Sequence, residues 1–158
     1  MKGKQWIVLG LAAVVLAAGG LKFWRNWQQT HHKTQAQIIQ YQEASDSALA
    51  TTGERGGLFT FSFPEGTEAQ AKQPGAVVIL IGPEYWLESY PMQYPGVRQV
   101  RLKERGEDAA GRWLDQIVSQ CAGGTPEQVS EAVSQLPGLT DGQREGLEYL
   151  ARGQLGIF

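Results

Sequence analysis

Cysteine occurs once in the 158 residues, as Cys121, and histidine twice, as His31 and His32. One thiol closes no disulfide within a chain and cannot supply a cysteine-rich zinc site. The adjacent histidines point about 100° apart on a helix and form no i, i+4 metal pair. They also leave the rest of the chain without an imidazole base for a Ser or Cys nucleophile. No CxxC, HExxH or glycine-rich phosphate loop occurs, and the 20 glycines follow no period. Glu84 and Glu88 fall on the same side of an extended segment but about 13 Å apart, too far for a retaining glycosidase pair. These absences exclude most hydrolytic and redox chemistry, and no cofactor or metal is expected. Cys121 shares an apolar helical face with Trp113, Leu114 and Val118, the setting of a packed core thiol. A chain disordered throughout is excluded as well, because 42% of the residues are hydrophobic and only 19% charged.

Charge is present but unevenly placed. Residues 1–33 hold five bases and no acid, whereas residues 34–158 hold nine bases and 16 acids. Anionic lipid headgroups suit the basic end, and nucleic acid is excluded as a partner by the acidic body.

Residues 6–21, WIVLGLAAVVLAAGGL, carry no charge and follow the basic leader MKGKQ. With Lys22 snorkelling and Phe23 and Trp24 included, the run reaches 19 residues, about 28 Å of helix. Trp6 at one end, and Lys22, Trp24, Arg25 and Trp27 at the other, match the residue types of a membrane interface. Two fates fit this pattern. One is a retained signal-anchor over 6–24, with residues 1–5 cytoplasmic and the body outside the cytoplasm (in a bacterium, an inner-membrane protein facing the periplasm). The other is a secretory signal cleaved near Ala17-Ala18-Gly19-Gly20. The flanking indoles favour the anchor. Ala13 and Ala17 form a small-xxx-small pair that permits a homo-oligomer through the span.

Between Lys22 and Thr52 neither Gly nor Pro interrupts the chain. Trp24, Trp27, His31, Thr34, Ile38 and Tyr41 recur at alternating spacings of three and four. The pattern predicts a helical stalk over 25–52, ended by a Gly-rich hinge at 53–57. The remainder, 58–158, reads as one α+β domain: a small, mostly antiparallel sheet of three or four strands, then three helices on one of its faces. Phe59, Phe61 and Phe63 alternate with Thr60 and Ser62 as in a half-buried strand. AVVILI at 76–81 reads as a central strand covered on both faces, and 85–90 and 97–103 read as further strands. Apolar spacing predicts a helix over 108–121. Thr125-Pro126-Glu127-Gln128 and Thr140-Asp141-Gly142-Gln143 each carry a capping-box pattern, which predicts a C-terminal αα-hairpin.

Two surfaces stand out as candidates for recognition. Residues 82–96 concentrate Tyr85, Trp86, Tyr90 and Tyr94 with Met92 and three prolines, the composition of an interface centre. Packing over the sheet edge explains the same aromatics without a partner. Arg98, Arg101, Lys103 and Arg105 form a basic strip, suited either to an acidic partner or to blocking edge-to-edge pairing. The tail Leu155-Gly156-Ile157-Phe158 is expected to pack back on the sheet or to be read by a partner. The combined expectation is a non-enzymatic single-pass membrane protein presenting an extracytoplasmic binding domain to other membrane or envelope proteins. The alternative is a cleaved, soluble inhibitor or immunity-type binder.

Overall fold

A computed structural model describes residues 17–27, 31–52 and 57–158. Residues 17–27 form a helix, α1, exposed along its whole length. A six-stranded sheet follows, built from β1 (His32–Gln42), β2 (Ser47–Thr51), β3 (Leu58–Ser62), β4 (Val77–Gly82), β5 (Met92–Gln93) and β6 (Gln99–Glu104). Three helices close the chain: α2 (Ala109–Gln120), α3 (Pro126–Ser134) and α4 (Asp141–Leu155). The sheet order is β5-β3-β2-β1-β4-β6, antiparallel except for the parallel β3–β5 edge. The fold is thus α+β, with six strands where three or four were expected.

The expected helical stalk over 25–52 is the principal correction. Of the described residues in that range, 25–27 are α-helical, whereas His32–Gln42 and Ser47–Thr51 are two neighbouring strands of the sheet joined through a 3-10 turn at Glu43–Ser45. Thr34, Ala36 and Ile38 are buried and alternate with Lys33, Gln35 and Gln37 on the opposite face. That is a period of two, which the Gln-rich composition hides. The register shifts between Ile38 and Gln40, so Ile39 turns to the face that Ile38 avoids. At the β1–β2 turn Asp46 adopts a left-handed conformation and accepts hydrogen bonds from Lys72 Nζ (2.7 Å) and Tyr41 Oη (2.9 Å). These bonds, Lys72's first, hold its carboxyl below the ordinary range.

The expected span 6–24 lies outside the described residues over 6–16, Trp6 and the 1–5 leader included. Among the described residues no helix is long and apolar enough to cross a membrane. Residues 53–56 of the expected hinge also lie outside them. The expected strand 85–90 does not form. Only Leu87 bridges, to Gln93, and the chain pairs with β3 later, through Met92 and Gln93.

Both faces of the sheet are buried, by different means. On one, Ile39, Leu49 and Leu58 pack under α2–α4 with Ile117, Val129, Val133 and Leu147. Gly142 and Gly146 seat α4 there, because a Cβ at Gly146 would lie 2.6 Å from Ile39 Cγ2 and one at Gly142 2.5 Å from Thr51 Oγ1. Thr125 and Thr140 both complete the predicted capping boxes. The other face carries Ile38, Ala48, Phe59, Phe61, Val78 and Leu80, covered by Phe63, Ala71, Ala76 and Tyr94 from the loops. The helices rest mainly on β1, β2 and β3, and on that side of β4 Ile81 is buried while Val77 and Ile79 are half-buried. AVVILI is therefore fully covered on one face and only partly on the other.

Candidate functional site

The aromatic–proline segment is a clasp hung on one residue. Tyr94 is 1% exposed, donates from its hydroxyl to the Pro83 carbonyl at 2.7 Å, and is fixed by its backbone N–H to the Thr60 carbonyl at 2.9 Å. Trp86 stacks on its ring at 4.2 Å between centroids and meets Phe59 edge-on at 4.8 Å. Leu87 and Gln93 exchange backbone hydrogen bonds, and Ser89 Oγ donates to the Pro91 carbonyl across a cis Tyr90–Pro91 bond. Of the predicted contact residues, Tyr94 thus belongs to the core and Trp86 is packed against it. Tyr85, Leu87 and Tyr90 point outward, Tyr90 with 66% of its surface exposed.

Tyr90 does not stand alone. Its ring meets Tyr149 of α4 at 5.8 Å, and Tyr149 meets Phe158 at 5.6 Å. Gly156, with φ of +67°, turns the chain at the end of α4, and Ile157 N–H bonds the Arg152 carbonyl. Phe158 is thereby laid beside Gly153, at 75% exposure. The tail packs back, though on α4 rather than on the sheet. Partial desolvation and, after it, the Glu145 charge raise the Tyr90 phenol above its ordinary pKa. Burial raises Glu145 likewise, against a backbone hydrogen bond from Leu58. The 82–96 segment and, far from it in sequence, α4 with its tail thus supply one aromatic ledge. Sequence reasoning missed Tyr149, which lies beside the Leu147–Leu150–Ala151 stripe, half-buried against the helix-side core.

The second surface is β6, an edge strand paired only with β4. Arg98, Arg101, Lys103 and Arg105 are all exposed. Their side-chain partners are neutral amides: Arg101 donates to Gln99 (3.0 Å), Lys103 to Gln35 (2.7 Å) and Arg105 to Gln70 (2.5 Å). The ion pairs among the described residues lie elsewhere, at Lys72–Asp46, Arg112–Glu107 and Arg152–Glu148.

The expected membrane-interface residues Lys22, Trp24, Arg25 and Trp27 lie on α1, where Leu21, Phe23, Trp24 and Trp27 are between 48% and 72% exposed. His31 caps this stretch, its ring stacked on Trp27 and its Nδ1 2.8 Å from the Trp27 carbonyl. Four open clefts of 340–610 Å³ mark the described surface, and neither Glu84 nor Glu88 lines any of them. No group of three or more His, Cys, Asp or Glu gathers to hold a metal among the described residues. Cys121 is buried under α2–α4. Comparison with family models, with curated proteins and with solved structures finds no match to the chain.

Proposed function

We propose that this chain is a non-enzymatic single-pass membrane protein that presents a small extracytoplasmic binding domain, an accessory subunit of a larger membrane assembly. The observation that carries the reading is the ledge in which exposed Tyr90 and Phe158 flank half-buried Tyr149, extended by exposed Tyr85 and Leu87. Large rings left in water by a domain that buries Phe59, Phe61 and Tyr94 elsewhere are the residue types that anchor interfaces. Support for the tether comes from α1, whose exposed apolar side chains flanked by Lys22 and Arg25 suit a bilayer boundary better than water.

The test is photo-crosslinking in native membranes from positions 90, 149 and 158, with position 120 on α2 as control. Adducts of one partner from the ledge and none from the control, on a chain that resists carbonate extraction with its N-terminus intact, are expected. A chain beginning near Gly20 in the soluble fraction overturns the tether in favour of the secreted binder. Absence of ledge-specific adducts overturns the interface.

A further inference from the structure

One part of the sheet is thinly covered, and bases predominate on it. On the helix side, Val77 and Ile79 of β4 are only half-buried and Ile81 is buried, while Gln99, Arg101 and Lys103 of β6 meet solvent. The register aligns Lys33 with Ile81 and Gln99, and Gln35 with Ile79 and Arg101, in successive rows across β1, β4 and β6. Lys103 reaches over the central strand to Gln35. Lys33, Arg101 and Lys103 therefore share one face, with half-buried Ile79 and Val77 between the strands. The register shift in β6 sets Glu104 opposite Val77, so one acid shares this face with the three bases. Arg98 and Arg105 flank β6 at its two ends, and Arg105 reaches Gln70 on the side of the loop-covered face.

Position in the chain selects the occupant. His32, the first residue of β1, pairs with Gly82, and Ile81 pairs with Gln99, so the tethered end of β1 and the start of β6 are the same end of the sheet. Four residues lie between Trp27 and His32, five residue steps that allow at most about 18 Å of chain. β6 is itself only about 16 Å long. If α1 leaves a bilayer at Trp27, the whole basic face lies within reach of the headgroups.

We infer that this face, Lys33 with Arg101 and Lys103, docks on anionic lipid headgroups and holds the domain flat against its own membrane. The inference rests on the tether reading for its geometry, and its test separates the two. The full chain is reconstituted with vesicles of phosphatidylcholine and with vesicles that also contain phosphatidylglycerol. Both are floated at low and high salt, and amide hydrogen exchange is read over 99–104. The variant Lys33→Gln/Arg101→Gln/Lys103→Gln, all at exposed positions, runs beside it after a thermal melt confirms its fold.

Slower exchange over 99–104 on the anionic vesicles alone, abolished by salt and in the variant, is expected. Three basic contacts imply a preference of roughly a hundredfold for the anionic surface. Flotation with both vesicles and equal exchange on both overturns the docking and leaves the tether standing. Flotation of the wild type with anionic vesicles only, and of the variant with neither, upholds the docking and overturns the tether. Flotation with neither overturns both. Protection of 99–104 by soluble polyglutamate but not by anionic vesicles overturns the lipid in favour of an acidic protein.

Discussion

Trp86 and Tyr90 sit four residues apart in one loop and have opposite surroundings. Trp86 is clasped between Tyr94 and Phe59, while Tyr90 touches only the rim of α4. Composition alone treats them as equals, since both are interface types. The difference comes from Tyr94, whose hydroxyl finds the Pro83 carbonyl and whose ring then offers Trp86 a stacking face. Trp86→Ala is therefore expected to cost about 2–3 kcal/mol in urea unfolding, below the ~3–5 kcal/mol of a fully buried aromatic. Tyr90→Ala is expected to stay within about 0.5 kcal/mol of wild type, as exposed substitutions do. If partner capture falls with Tyr90→Ala at unchanged stability, the ledge acts by contact. Equal destabilisation by the two changes would place Tyr90 in the core as well.

Elements were legible in the sequence where local chemistry and tertiary packing agree. Thr125 and Thr140 with Gln128 and Gln143 three residues later announced α3 and α4, and both boxes close as drawn. The Phe59–Phe61 alternation announced β3, and continuous apolar residues announced β4. Neither β1 nor β2 was legible. HKTQAQIIQYQ has few strand formers, and its buried positions are partly Thr34 and Ala36, which mark no core by themselves. The bulge at Ile39 then breaks the alternation that would have exposed the period. Small residues are tolerated in these central strands because the Phe-rich β3 and the close seat of α4 fill the space. That seat depends on Gly146, whose missing side chain lets the helix rest on the stiff, branched Ile39. Gly146→Val is expected to destabilise by about 1–3 kcal/mol through overpacking, measured by denaturant unfolding. Combining it with Ile39→Ala is expected to cost less than the sum of the two single changes, because the second creates room for the first. Strict additivity would show that the contact does not set the helix height.

At the scale of the whole molecule, the two unrecognised strands decide where the folding unit begins. A boundary at the glycines of 53–57 looks natural in the sequence, because composition changes there. In the sheet, however, β1 and β2 stand between β3 on one side and β4 on the other. Removing them leaves β5–β3 and β4–β6 as separate two-stranded pieces, each too small to be stable alone. It also takes Ile38, Ala48 and Ala50 from one core and Ile39 and Leu49 from the other, so α4 loses its floor. A chain of residues 31–158 is thus expected to unfold in one cooperative transition with dispersed amide resonances. A chain of residues 58–158 is expected to retain at most helical signal, with no cooperative melt and no protected strand amides. Cooperative unfolding of the shorter chain would mean that β1 and β2 are an appendage to a domain complete without them. Otherwise the folded domain starts within a few residues of α1, so anything it binds is met close to that helix and not at the end of a stalk.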